Sequence, residues 1–257
     1  MTTDKPRVHF VAPYLTNPVH RISVNLIGAG GSGSQMLSAL ARIDCSLRAL
    51  GHKGLYVTVY DPDTVEQTNV GRQLFGPRDI GLNKADCLVT RFNRFYGLDW
   101  QSEPRKFDKE DNLSNIVITC VDNIAARKMV GKMFPQKFNA FSPEFGTFYW
   151  LDLGNGQCSG QAVLGSCMIT QPKSRKYEPV GKLPLATEEF DYSTVDEKDS
   201  GPSCSLAEAL SKQDLFINST LVQMAGSLLW TLLREPVIDT RGFYLNLDTF
   251  RTSPIHI

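Results

Sequence analysis

Along the first half of the chain the hydrophobic pattern alternates between short continuous runs and helical spacing. Ile22–Ile27 is an apolar, β-branched run that predicts a strand. From Ser32 to Leu50 the residues Met36, Leu40, Ile43, Leu47 and Leu50 recur on one helical face, so a helix is expected there. LYVTVY, Leu55–Tyr60, is a second predicted strand. A helix is predicted over Asn83–Tyr96, with Ala85, Leu88, Phe92 and Phe95 inward. IVITCV, Ile116–Val121, has no polar alternation, as befits a strand buried on both faces. A helix is predicted after it, at Ile124–Phe134. Strands alternating with helices predict an α/β fold: a Rossmann-like, mostly parallel sheet with helices on both faces.

The second half reads differently. Phe148–Ile169 contains FYWLDLGNG and GQAVLGSCMI, which read as strands around a Gly-Asn-Gly turn, an antiparallel extension of the sheet. Pro172–Ser203 is charged, Pro-containing and poor in large apolar residues. It is expected to be an exposed, mobile, crossover-type loop. Structure is predicted to return at Ser205–Lys212 and at Leu215–Leu233, a helix apolar enough to pack in the core. Gly242–Leu247 reads as a late strand. There is no internal repeat, and 257 residues suit one domain spanning 1–257.

Composition narrows the partners. Lys plus Arg equals Asp plus Glu, at 27 each, so no basic field favours nucleic acid or an anionic membrane. The start, MTTDKPRVHFVAPYL, lacks a basic region followed by a long apolar run, so no secretory signal is expected. The longest apolar segment, Leu221–Leu233, is too short for a bilayer and contains Gln223, and a cytoplasmic location is expected. The six cysteines, Cys45, Cys87, Cys120, Cys158, Cys167 and Cys204, form no Cys-x-x-Cys pair, which argues against a zinc ribbon or a dithiol redox centre.

Chemistry enters at ISVNLIGAGGSGSQ. Gly28, Gly30, Gly31 and Gly33 lie between a predicted strand and a predicted helix, the setting in which backbone N–H groups and a helix N-terminus cradle phosphate. Asp61 ends the second strand, where an acid accepts hydrogen bonds from ribose hydroxyls. The glycines alone do not separate NAD, FAD, SAM and ATP. The next stretch, DPDTVEQTNVGRQLFGPRDIGLNKADCL, adds Asp63, Asn69, Arg72, Gln73 and Lys84. A reacting triphosphate needs cations; a resting dinucleotide needs few. TCVDN puts Asp122 and Asn123 at the carboxyl end of a buried strand, where a carboxylate suits Mg²⁺ between protein and phosphate. The plain alternative for each residue is a surface ion pair or a helix cap.

These motifs, GAGGSG, DPDTVEQTNVGRQ, GLNKAD and TCVDN, resemble in order and spacing the ThiF/MoeB/ubiquitin-activating-enzyme superfamily. The likeness is strong over Ser23–Pro143 and resumes at Phe216–Leu233. YWLDLGNG, GQAVLG and GPSCSLAEALSKQDLFIN look like the short ThiF-type proteins of the bacterial PRTRC gene system. The resemblance implies an adenylyltransferase, a ubiquitin-like modifier activating enzyme. It uses ATP and Mg²⁺ on the C-terminal carboxylate of a small β-grasp partner, usually as a homodimer. By position, the glycines hold the nucleotide and Asp61 the ribose. Arg72 and Lys84 neutralise the phosphates, Asn69 and Gln73 hydrogen-bond nearby, and Asp122 holds Mg²⁺.

Three departures qualify the likeness. The two Cys-x-x-Cys pairs of many bacterial members are missing, so no zinc is expected. Nothing before Gly28 matches the Arg-Tyr-x-Arg-Gln stretch that supplies an arginine to the ATP site; Arg7 and Arg21 are the candidates. There is no separate cysteine domain, which draws attention to Cys204 in SGPSCSLAEA. Its Pro-Ser-Cys-Ser is similar to the Pro-x-Cys-Thr of eukaryotic activating enzymes. A helix starting near Ser205 would lower its thiol pKa, as a thioester-forming nucleophile requires; the alternative is a buried, inert cysteine. Cys158 and Cys167 are weaker candidates. An NAD-dependent oxidoreductase and a non-catalytic nucleotide-binding scaffold remain as rival functions.

Overall fold

The computed structural model describes residues 5–136, 142–192 and 212–257. In chain order its elements are β1 (Arg7–Phe10), α1 (Pro13–Thr16), β2 (Ile22–Ile27), α2 (Gly31–Ala49), β3 (Leu55–Tyr60), α3 (Lys84–Tyr96), β4 (Gln101–Glu103), β5 (Ile116–Thr119), α4 (Ile124–Met133), β6 (Tyr149–Asn155), β7 (Ser159–Ser166), β8 (Glu178–Pro179), α5 (Ala186–Glu189), α6 (Ile217–Leu232), β9 (Val237–Ile238), β10 (Thr240–Asn246) and β11 (Arg251–His256). Eight strands make one sheet in the order β11-β10-β7-β6-β5-β2-β3-β4. β4, β3, β2, β5 and β6 are mutually parallel, and β7, β10 and β11 are added antiparallel. The Rossmann-like α/β fold and its antiparallel extension are therefore as the hydrophobic pattern predicts.

Strand alternation assigns the two faces of β6. Trp150 and Asp152 meet α4, through the Phe134 ring and Arg127 respectively. Asn155, of opposite parity, receives a hydrogen bond from Ser32 of α2. α2 packs along α6, and α4 packs against α5. The chain runs from β2 outward to β3 and β4, then crosses back to β5 on the other side of β2. Strand order thus reverses between β2 and β5, and their carboxyl ends border the crevice where open α/β sheets bind ligands.

Three expectations need correction. Phe95, expected inward, is 77% exposed, because Leu88 and Phe92 already fill the buried stripe of α3. The described part of Pro172–Ser203 is exposed over residues such as Lys173, Arg175 and Lys176 but not throughout. Glu178–Pro179 pairs with β1, and Leu183, Leu185 and Ala186 are buried in the core. Its few apolar residues are spaced so that each is used, which a reading of average composition misses. Finally, Arg7–Phe10, for which the hydrophobic pattern predicts no element, forms β1, the middle of a three-stranded sheet β8-β1-β9. Buried His9 anchors it: one ring nitrogen contacts the Val180 carbonyl at 2.7 Å and the other the Tyr149 hydroxyl at 2.9 Å.

Candidate functional site

The glycine loop closes the end of β2. Gly28 has φ +93, and a Cβ there would stand 2.8 Å from the Cys120 carbonyl oxygen at the end of β5. A Cβ on Gly33 would stand 1.9 Å from the Gly28 carbonyl oxygen, so the first turn of α2 lies directly against the loop. A Cβ on Gly30 would meet nothing within 4 Å, so the loop is open on that side. Open backbone at a helix N-terminus is a seat for an anion.

Asp61 locks this loop. One carboxylate oxygen accepts the Ala29 N–H at 2.6 Å and the other the Asp63 N–H at 2.9 Å. Burial pushes the Asp61 carboxyl above its ordinary value, and these two amides, with Lys84 nearby, work against the rise. Asn83, the cap of α3, donates to the carbonyls of Asp61 and Asp63, and buried Lys84 pairs with the Asp63 carboxylate at 3.0 Å. Gly28, Asp61, Asp63 and Lys84 are thus brought together. Lys84 is held in an ion pair, the plain alternative weighed above, and Asp61 shapes the loop as well as facing it.

Arg72 and Gln73 form a second group. The backbone N–H of Leu74 donates to Ser34 on α2 at 3.3 Å, which holds their loop near the glycines. Arg72 Nη1 donates to the Gln213 side-chain oxygen at 2.7 Å, which also accepts from Asn218 Nδ2 at 2.9 Å. Asn218, in the first turn of α6, fits because a Cβ on Gly31 would stand 2.7 Å from its oxygen. That oxygen accepts from Ser32 at 2.9 Å, and Ser32 reaches Asn155 at 3.4 Å. Within this linked group, Arg72 Nε, Gln73 Oε1 and Asn155 Nδ2 are buried without partners among the described residues. Buried polar atoms are almost always satisfied by protein, water or ligand, so these three leave hydrogen-bonding capacity open in the group linked to the glycine loop.

The remaining predicted residues are turn-formers or exposed. Asn69 accepts the Glu66 N–H at 2.8 Å, and Asn123 caps α4 by accepting the Ala126 N–H at 2.8 Å. Asp122 is exposed at the start of that helix, two residues past the Cys120 backbone that abuts Gly28. Sequence reasoning missed Ser32, Asn155, Gln213 and Asn218. The signal lay in polar residues bracketing the apolar helix in KQDLFIN and in the Asn of the GNG turn.

Residues 7–253 match the ThiF family. The chain belongs to that family. It is 39% identical over 70 residues to ubiquitin-activating enzyme E1 1 of Schizosaccharomyces pombe, covering 27% of this chain and 6% of that one. It is 28% identical over 129 residues to ubiquitin-like modifier-activating enzyme 5 of Oryza sativa, covering 43% and 28%. The chain thus spans well under a third of the length of these curated relatives. Among solved structures, E. coli MccB with ATP superposes with a TM-score of 0.58 at 14% identity, over 95% of this chain and 65% of that one. PaaA gives 0.55 at 14%, over 95% and 67%. At that identity the likeness is one of fold.

A second polar cluster accompanies the ThiF-type glycine loop. Asp152 and Arg127, both buried, pair at 2.9 Å between β6 and α4. Asp152 also accepts from Thr119, which accepts the Trp150 indole N–H at 2.8 Å, and Arg127 Nη2 donates to the Leu153 carbonyl at 2.9 Å. Burial works against the Arg127 charge, but Asp152 outweighs it and holds the pKa above its ordinary value. Of the cysteines, Cys204 lies outside the described residues. Cys167 is fully buried, and burial pushes its thiol up to about 11. The neighbouring Asp248 raises that of Cys158. Neither environment favours a thiolate. Among the described residues no helix is long and apolar enough to cross a membrane.

Proposed function

We propose that this ThiF-family chain is an adenylyltransferase that activates the C-terminal carboxylate of a ubiquitin-like β-grasp protein with ATP. The observation that carries the reading is the open glycine loop at the β2/β5 switch point, bordered by the orphaned Arg72 Nε, Gln73 Oε1 and Asn155 Nδ2. Donors and an acceptor left unpaired beside a phosphate cradle suit a nucleotide that brings its own oxygens and N–H groups.

Each residue then has a part. Gly28, Gly30, Gly31 and Gly33 let backbone N–H groups approach the phosphates, with Asp61 and Asp63 on the ribose side. Arg72 supplies most of the positive charge, since Lys84 already serves Asp63. Asn69, Gln73 and Asn123 offer side-chain amides. Asp122, exposed just ahead of α4, would hold Mg²⁺, which would supply charge neutralisation at the phosphates. A substrate carboxylate oxygen bonds to the α-phosphorus as the bond from that phosphorus to the α–β bridging oxygen breaks. Pyrophosphate leaves with the electron pair. Positioning and charge stabilisation are the protein's contribution. Acyl transfer to Cys204 as a thioester, and assembly as a homodimer, are proposed on the resemblance.

The test is ATP–pyrophosphate exchange with a candidate β-grasp protein bearing a free C-terminus. Exchange should require that carboxylate and be lost in Asp122→Ala. Absence of exchange together with tight NADH binding would overturn the reading. On a non-reducing gel, a reducible covalent band absent from Cys204→Ser would support the thioester, and a band that persists would remove it.

A further inference from the structure

Gln213 contributes no charge and lies outside the four motifs GAGGSG, DPDTVEQTNVGRQ, GLNKAD and TCVDN. It stands two residues past the segment 193–211, where the chain returns to the core ahead of α6. Its single side-chain oxygen accepts from Arg72 Nη1 at 2.7 Å and from Asn218 Nδ2 at 2.9 Å. Asn218 is itself buried and bonded to Ser32 at the glycine loop. One neutral amide therefore joins the cation, the core helix α6 and the first turn of α2.

The choice of partner carries the argument. The two arginines counted among the buried residues meet carboxylates: Arg127 meets Asp152 at 2.9 Å and Arg241 meets Glu189 at 2.6 Å. Arg72 has no carboxylate partner among the described residues. Burial pulls its pKa down, and among the described residues no neighbouring charge opposes the shift. The guanidinium still remains protonated at any working pH. A carboxylate at position 213 would hold the same donor more strongly but cancel the charge. A glutamine fixes direction and leaves the charge available, with Nε buried and without a partner among the described residues.

We infer that Gln213 is a positioning residue: it aims Arg72 without neutralising it, and so sets the affinity of the site for a polyphosphate anion. The inference rests on the nucleotide-site reading above and assigns the return arm of the chain a part in it.

The experiment compares Gln213→Glu and Gln213→Met with the unaltered full chain. Calorimetric titration with ATP and, separately, with inorganic pyrophosphate is the readout, with the thermal transition recorded for each. A merely structural amide is best replaced by Glu, which accepts the same two hydrogen bonds, so Met would be the weaker binder. The aiming role inverts that order. Gln213→Glu should weaken both anions by at least about tenfold, more than Gln213→Met, at an unchanged transition. Binding by Gln213→Glu equal to or tighter than that of Gln213→Met overturns the inference. Failure of the unaltered chain to bind ATP overturns instead the nucleotide-site reading beneath it. Should Gln213→Glu melt early, Gln213→Met is repeated in an Arg72→Leu background. Its effect should vanish there, and an undiminished effect overturns the inference.

Discussion

Two arginines lie near the carboxyl edge of the same sheet and are treated in opposite ways. Arg127 is enclosed with Asp152, Thr119, Trp150 and the Leu153 carbonyl, and its charge is cancelled. Arg72 is half-buried against a neutral amide, and its Nε has no acceptor among the described residues. Both residues carry the same desolvation penalty in kind. In the first case the described residues offset it; in the second no described carboxylate does. The difference separates a buried charge that serves the fold from one held for an anion.

The comparison can be broken most forcefully at Asp152. Asp152→Ala strands Arg127 without its partner and should cost about 3–5 kcal/mol in urea denaturation at unchanged slope. A loss below about 1 kcal/mol would show that the pair is not what satisfies this region. His9 gives the next largest effect, with pH as the variable. Burial lowers its pKa to about 4 from an unfolded value near 6.5. Between those values the unfolded chain binds more protons. Stability from this group is therefore complete above about pH 6.5 and falls by about 3 kcal/mol as pH drops to about 4. His9→Gln should flatten that slope in denaturation curves taken across the window. Removing the α4 cap with Asn123→Ala should cost about 1 kcal/mol and leave the Arg127 cluster intact, measured as a shift in the urea midpoint. The smallest effect sharpens the contrast most. Arg72→Leu should change stability by less than about 1 kcal/mol, with stabilisation an allowed sign, while anion binding in the same preparation weakens by about tenfold or more but stays measurable.

Much of the Rossmann-like frame was legible because its signals are local. Ile22–Ile27 and Leu55–Tyr60 are found where their apolar runs predict, and the glycine loop falls between strand and helix as GAGGSG requires. Local signals also placed Lys84 and Asp63 in one stretch, though not in an ion pair with each other. What the sequence did not disclose depends on distant partners. β1 is too short and too polar to announce itself, and it exists through pairing with Glu178–Pro179 and Val237–Ile238. Asp152 was passed over inside an apolar run, where a lone charge in a buried strand was itself the clue. Gln213 and Asn218 acquire their meaning only from Arg72, which is 141 residues away from Gln213 in the chain.

The small sheet has a bearing on how the chain assembles during synthesis. Arg7 registers with Glu178, and His9 with Ile238. During synthesis β1 therefore stays unpaired on one edge until Glu178–Pro179 has emerged and on the other until Val237–Ile238 has. Such long-separation pairing is slow and leaves sticky backbone exposed in the interim. The Rossmann-type frame, whose neighbours in space are closer in sequence, has every opportunity to form first, and closure of this clasp becomes the last step of maturation.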